Sequence, residues 1–514
     1  MTRERRRRRS GGGRRTVGAL QQLPWRLVEN RFEPTRLLDP EQLEAVHEAS
    51  LRILEELGIE MMNAEARSLL EEAGAEVDHS SGVVRLDRAL VEGMVARAPS
   101  AFTLTPRNPA HALELGGNRV AFTTVGGPPS VHDCRRGRRT GNFGDYCDLV
   151  RLAQGLNIIH MIGNQPTSPQ DLPTTTRHLD TYHANLTLTD RAFMLSAVGE
   201  QRALDGIRMA AIARGETLAD LDERPAAMTV INVNSPRRFD GPLTEGLMTM
   251  ARHGQAVVVT PFTLMGAMTP VTLPAALAQQ NAEALFGIAL TQLVRPGAPV
   301  VYGAFTSNVD MRTGAPAFGT PENARANLAS GQLARRYGLP YRTTNANASN
   351  VVDAQAAYET EMSLWGAVMG GANLVYHAAG WLEGGLTASF EKMVLDAELL
   401  QSIAETVRPV EVDEDSLALD AMRGVAPGGH FFGTDHTMER YETAFYRPLL
   451  SDWQNHEAWE AAGAKDATQR ATEIWQRVLA DYEQPAMDPA VREELDDHVA
   501  RRREQIETDG LGCE

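Results

Sequence analysis

Cysteine is scarce. Three residues, Cys134, Cys147 and Cys513, are too few and too irregularly spaced for a disulfide framework or a C-x-x-C zinc site. A reducing, cytoplasmic compartment is the expectation. His132 and Cys134 lie close in sequence, but no second His/Cys pair follows at useful spacing, so no metal site is expected. Long apolar runs are also missing: none reaches the ~18 residues of a membrane-spanning helix, which argues against a membrane partner. Positive charge is scarce outside one end, with 50 Lys and Arg against 67 Asp and Glu and a net charge of −17. Nucleic-acid binding needs spread positive charge and is not expected. Arg5–Arg9, Arg14 and Arg15 sit in a stretch with no apolar segment or cleavage site, so residues 1–30 read as a disordered basic leader rather than a secretory signal.

Several catalytic signatures are missing too. There is no G-x-G-x-x-G after the first apolar run, no G-x-S-x-G elbow and no Walker loop. A glycosidase needs two facing carboxylates, and only Glu200 and Glu383 are placed to serve.

What is present is a rhythm. Apolar runs of strand length recur at Arg119–Val125, Ile158–Gly163, Ala192–Ala197, Ala227–Val233, Ala256–Pro261, Pro299–Phe305, Pro340–Thr344 and Asn373–Ala378. A helical segment follows each, beginning near Phe143, Thr174, Gln201, Thr244, Leu273, Pro321, Ala354 and Ser389. Runs that are continuously apolar, rather than alternating, suit strands buried on both faces. Strand–helix–strand order without hairpins implies parallel pairing. Eight such units over residues 118–410 predict a (β/α)8 barrel of the TIM type, with a doubly wound sheet as the alternative. Residues 31–117 read as an N-terminal α+β cap with its own small core, opening on a helix over Pro40–Leu57. Residues 411–514 read as a C-terminal helical extension, helical over Asp435–Tyr446, Asp452–Tyr482 and Val491–Ile506, that wraps the barrel or contacts another copy of the chain. A homo-oligomer is expected.

In such a barrel the site lies at the strand C-termini. Those ends carry neutral amides and aromatics: Asn164, Asn234, Phe262, Tyr302, Phe305, Asn345, Asn347, Tyr376, His377, Trp381 and Glu383. An aromatic face attracts a quaternary ammonium group. For Tyr302 and Tyr376, inside apolar runs, packing is the stronger reading.

The stretches P-G-A-P-V-V-Y-G-A-F-T-S-N-V-D-M (Pro296–Met311), F-G-T-P-E (Phe318–Glu322), Y-G-L-P (Tyr337–Pro340), D-A-Q (Asp353–Gln355), G-A-N-L-V-Y-H-A-A-G-W-L-E (Gly371–Glu383) and G-G-H-F-F-G (Gly428–Gly433) together resemble the trimethylamine methyltransferase family, from about Leu37 to Trp475. The resemblance implies a barrel enzyme that moves a methyl group from a methylated amine to the Co(I) of a corrinoid. No D-x-H-x-x-G cobalamin signature is present, so the corrinoid (cobalamin) would be carried by a separate protein and none bound in this chain. Family members that use trimethylamine carry pyrrolysine at the end of the seventh strand. Here that stretch, Arg342–Asn347, holds ordinary residues, with Asn345 at the corresponding position. This implies the non-pyrrolysine branch, which is glycine betaine:corrinoid methyltransferase-like, and a quaternary amine as donor.

On that reading Asn345, His377 and Glu383 are the expected catalytic residues. Trp381, Phe262, Phe305, Tyr302, Asn234, Asn164 and Asn347 are the expected substrate-binding set. Trimethylamine or another methylamine as donor, a barrel lyase or hydrolase, and a quaternary-amine-binding protein remain alternatives.

Overall fold

The apolar runs pair edge to edge and in parallel. In the computed structural model, which describes residues 20–509, the barrel strands are β1 (Arg119–Thr124), β2 (Met161–Ile162), β3 (Ala192–Leu195), β4 (Met228–Val233), β5 (Ala256–Met265), β6 (Val300–Gly303), β7 (Tyr341–Thr344) and β8 (Leu374–Ala379). Each pairs in parallel with the next, and β8 pairs with β1, so the sheet closes on itself. The chain is a (β/α)8 barrel. Its helices are α1 (Phe143–Gly155), α2 (Arg177–Leu188), α3 (Glu200–Arg214), α4 (Gly241–Arg252), α5 (Leu273–Val294), α6 (Pro321–Arg336), α7 (Ala354–Met369) and α8 (Phe390–Thr406). Local chemistry starts them: the side chains of Asn142, Asp240, Thr320, Asp353 and Ser389 each accept from a first-turn amide, a contact worth about 1 kcal/mol.

Period two along each strand decides what fills the barrel. Met228 and Val230 on β4, Ala256 and Val258 on β5, and Leu374 and Tyr376 on β8 meet Met161, Met194 and Val301 inside. A hairpin, Ala101–Leu104 with Leu113–Gly116, closes the floor through Leu104, Leu113 and Leu115.

Residues 20–30 correct the expectation of a disordered leader. Val28–Glu29 pairs antiparallel with β1, the Leu23 amide donates to Gln401 Oε1 at 2.7 Å, and Trp25 and Leu27 join the barrel floor. The Arg/Gly composition of the first fifteen residues does not extend to Trp25–Val28, which carries apolar area that the open end of the barrel can bury. The rest of that expectation, residues 1–19, lies outside the described residues, as does Cys513.

A separate core for residues 31–117 is also corrected. Val46, Leu51, Leu54 and Ile59 belong to the same buried cluster as Leu277, Leu285 and Ile288 of α5, because the helix Pro40–Arg52 lays its apolar face directly on α5.

At the other end, the helix Ala467–Ala480 packs on α8 and α1, with the Trp475 indole donating to Glu391 at 2.9 Å. The helix Pro489–Asp509 packs on α2 and α3, and Arg502 Nε donates to the buried Asp205 at 2.7 Å. The expected helix over 452–482 is interrupted: His456–Ala461 and Ala467–Ala480 are separated by Gly463 and Ala464, both at positive φ. The expected helix over Asp435–Tyr446 is the shorter Asp435–Arg440. Between the barrel and these helices, Val410, Phe432, Phe445 and Trp453 are each more than 70% exposed, at 86%, 79%, 84% and 72%. Among the described residues no helix is long and apolar enough to cross a membrane.

Candidate active site

The longest strand makes the wall of the site. β5 runs past the rim of the barrel, and its upper half pairs with Phe305–Val309 after β6 breaks at Ala304, whose amide turns to the Arg342 carbonyl. The register sets Phe262 directly opposite Phe305, with ring centroids 4.8 Å apart in an edge-on arrangement. Phe318 stands behind both rings. These rings form one side of a cavity of about 540 Å³ that also takes in Gly126, Asn164, Asn232, Asn234, Ser235, Met268, Arg342, Tyr376 and His377.

The opposite side is polar and tightly arranged. His377 sits at a positive φ of 57° where the register of β8 shifts, between Val375 and Ala379, and its ring lies flat on Tyr376 at 3.8 Å. Its Nδ1 accepts from the Gly126 amide at 3.1 Å, so the ring proton lies on Nε2. Burial, and then the Arg342 charge, hold its pKa well below the ordinary value; the ring is neutral. The Tyr376 hydroxyl accepts from the Asn164 amide at 3.2 Å. Gly126 must be glycine here: a Cβ would stand 2.1 Å from the Tyr376 hydroxyl oxygen. The loop carrying Asn234 and Ser235 is anchored from behind by Glu283, which accepts from Ser235 Oγ at 2.6 Å and from the Arg237 amide at 2.8 Å. Burial raises the Glu283 pKa.

At the bottom of the cavity lies Arg342, 1% exposed. Its guanidinium rests over the Tyr376 ring at 4.8 Å. Burial pushes its pKa down to about 10, which leaves it charged at neutral pH. No carboxylate lines the cavity, so the site is a mix of rings, neutral amides and one buried cation. It can hold and orient a ligand and exclude water, but it offers no acid–base pair.

Of the residues expected from the sequence, Phe262, Phe305, Asn164, Asn234 and His377 come together on this wall. The others stand elsewhere. Tyr302 points out of the barrel: its hydroxyl donates to Asn281 on α5 at 2.9 Å and its ring stacks on Tyr337. The parity of β6 puts Val301 inside and Tyr302 outside. Trp381 is behind the wall, its ring 4.5 Å from His377 and 6.1 Å from Phe305 and its Nε1 donating to the Asn347 carbonyl at 2.9 Å. Asn347 returns a bond from Nδ2 to the Trp381 carbonyl, so the pair ties two loops together. Asn345 is fully buried and donates from Nδ2 to the Ala378 carbonyl at 3.0 Å. Glu383 lies in a small sheet over the rim, formed by Ser130–Asp133, Gly137–Thr140, Trp381–Leu382 and Thr387–Ser389. It accepts from Arg138 Nε at 2.8 Å and from Thr387. Burial raises its pKa, but these two contacts outweigh it and the net shift is downward. An ion-paired carboxylate of that kind is a loop anchor.

Arg342 lines the cavity although sequence reasoning gave it no role, and Tyr376, read there as packing, lines it too. The signal was parity: Arg342 and Thr344 share one face of β7, and the one charge in an otherwise uncharged strand, on its inward face, has only the barrel to point into.

Residues 3–507 match the family described as Trimethylamine methyltransferase (MTTB). A glycine betaine methyltransferase of Desulfitobacterium hafniense (strain Y51) is 36% identical over 471 residues, covering 91% of this chain and 98% of that protein. A trimethylamine methyltransferase MttB of Desulfitobacterium hafniense (strain DSM 10664 / DCB-2) is 32% identical over 446 residues, covering 86% and 89%. Among solved structures, the monomethylamine methyltransferase MtmB of Methanosarcina barkeri matches over 87% of this chain and 93% of its own, with 10% identity and a TM-score of 0.47.

Proposed function

Because the chain belongs to the trimethylamine methyltransferase family and is a methyltransferase, we propose that it takes a methyl group from a quaternary amine, glycine betaine or a related betaine, and delivers it to the Co(I) of a corrinoid on a separate protein. The observation that carries this reading is the cavity wall: the Phe262 and Phe305 rings together with neutral amides, and no carboxylate. A quaternary ammonium has no N–H to donate, so it is recognised by ring faces and shape.

The chemistry needs little from side-chain acids. When the methyl carbon is attacked, the C–N bond breaks, its electron pair stays on nitrogen, and a neutral tertiary amine leaves. No proton moves. A corrinoid on a separate protein would supply the nucleophile. What the chain supplies is alignment: the rings hold the head group, neutral His377 fills the polar side without adding a second positive charge, and the walls exclude water. A donor that already carries the positive charge also fits an ordinary residue, Asn345, at the place where the resemblance sets pyrrolysine. Assembly with further copies of the chain is supported by the exposed apolar side chains between Val410 and Trp453, since such patches on soluble proteins mark contact surfaces.

The test is methylation of cob(I)alamin by the purified protein with a panel of donors. Glycine betaine or a close relative is expected to be faster than trimethylamine. Equal or faster transfer from trimethylamine refutes the choice of donor, and no transfer from any amine favours a binding protein or a different reaction.

A further inference from the structure

We infer that Arg342 is an anion subsite that takes the carboxylate of the methyl donor, so that the donor enters the barrel carboxylate first. This rests on the methyl-donor reading above and deepens it. The first observation is an unmet demand. Arg342 Nε and Nη1 are both buried with no hydrogen-bond partner, and no carboxylate lines the cavity beside it. A buried guanidinium is ordinarily paired, because removing a charge from water is expensive. The fixed fork of its N–H groups matches a carboxylate. Its one evident contact, the face of Tyr376, satisfies charge but no N–H.

The second observation is depth. Arg342 is level with Gly303 on β6 and Leu374 on β8, whereas Phe305 lies two residues further toward the rim and Phe262 is opposite it. Two residues of strand are roughly 7 Å. The cavity therefore has a cationic floor and an aromatic upper wall, which suits a molecule with a carboxylate at one end and a quaternary ammonium at the other, joined by a short spacer. Orientation follows from access. The methyl acceptor is carried on a protein and can approach only at the rim, so the methyl groups must face outward and the remainder of the donor must lie beneath. A donor without an anionic end would leave Arg342 unpaired under a second positive charge.

Binding to the full-length chain tests this without turnover. The probes are glycine betaine, choline and tetramethylammonium, titrated calorimetrically into wild type, Arg342→Met and Arg342→Lys, with melting temperatures on the same samples. Wild type is expected to prefer glycine betaine to choline. Arg342→Met should weaken glycine betaine by about a hundredfold, the scale of losing hydrogen bonds to a charged group, and leave tetramethylammonium unchanged or slightly tighter. Arg342→Lys keeps the charge but not the fork and should fall between. Unchanged glycine betaine affinity in Arg342→Met overturns the assignment, as does an equal loss for all three probes with a lowered melting temperature, which would make Arg342 structural. If wild type bound none of the probes, the methyl-donor reading itself would fail along with it. Tight tetramethylammonium binding with no preference for glycine betaine would overturn the anion subsite alone.

Discussion

Phe262 is the residue whose removal separates recognition of charge from recognition of shape. Its ring is only partly buried, while its partner Phe305 is 6% exposed, so truncating Phe262 does less damage to the fold. A cation–π contact in a desolvated site contributes about 2 kcal/mol, and each 1.4 kcal/mol is tenfold in affinity. Phe262→Ala should therefore weaken glycine betaine by about thirtyfold. The edge-on pair with Phe305 adds about 1 kcal/mol of stability that is also lost, a shift of a few degrees in melting temperature at most. Two controls isolate the cause. Phe262→Leu keeps apolar area but has no ring, and should lose most of the same affinity. The isostere 3,3-dimethylbutyrate, with carbon in place of the quaternary nitrogen, keeps the shape and the carboxylate without the positive charge, and should bind wild type and Phe262→Leu about equally. Calorimetry on the folded proteins reads both. If Phe262→Leu retained full affinity for glycine betaine, or if 3,3-dimethylbutyrate bound wild type as tightly as glycine betaine does, the charge argument would be wrong and shape alone would govern the site.

Three further outcomes are expected. Trp381→Ala should lower stability by about 3 kcal/mol or more, as buried aromatic truncations do, yet leave the affinity of the folded protein for a quaternary amine within about threefold, because the indole backs the wall rather than lining it; paired melting and titration curves check this, and a loss of binding with unchanged melting would contradict it. Gly126→Ala should weaken glycine betaine at least about tenfold, since the added methyl displaces the Tyr376 hydroxyl from 2.1 Å away; wild-type affinity in that variant would show that the polar side can yield. His160, fully buried with Nδ1 accepting from the Phe122 amide at 3.0 Å and Nε2 bonded to the Arg26 carbonyl at 2.8 Å, has its pKa lowered from 6.5 to about 4 by burial. A histidine with a depressed folded pKa gives stability that is complete above its unfolded value. That stability is lost as pH falls from about 6.5 to about 4, roughly 3 kcal/mol in all. Denaturant titrations of wild type and His160→Gln across that range should show a shallower decline in the variant.

The barrel was legible because its signal is cumulative. Runs such as Ala227–Val233 and Ala256–Pro261 are too apolar to face water on either side, and each is followed by a helix with a recognisable start. Boundaries were less so. The run Ile158–Gly163 becomes a strand only at Met161–Ile162, because the Ile159 amide turns back to Leu156 and His160 is held by its own ring bonds. Run Pro299–Phe305 divides at Ala304, where pairing passes from one neighbour to another. The site was half legible. Position at a strand end pointed to Phe262, Phe305 and His377, which line the cavity, but whether a side chain enters the barrel depends on parity, which excludes Tyr302 and admits Arg342. Trp381 follows a glycine at φ 100°, and the turn that permits carries its ring behind the wall; nothing in the residue order alone reveals that.

The ties between the two ends of the barrel bear on how the chain reaches this state. Leu23 bonds to Gln401, Arg26 to Glu405 and Asn30 to the Val368 carbonyl. These partners leave the ribosome more than 300 residues after the segment they hold. Until they do, Trp25 and Leu27 have no floor to seal, and the interior methionines on β2, β3 and β4 are open from below. Pairings this distant in sequence are slow to form, and a half-closed barrel presents unpaired strand edges to other chains. Closure of the barrel thus waits until α7 and α8 have been made, and the nascent, half-closed barrel is the state most exposed to aggregation.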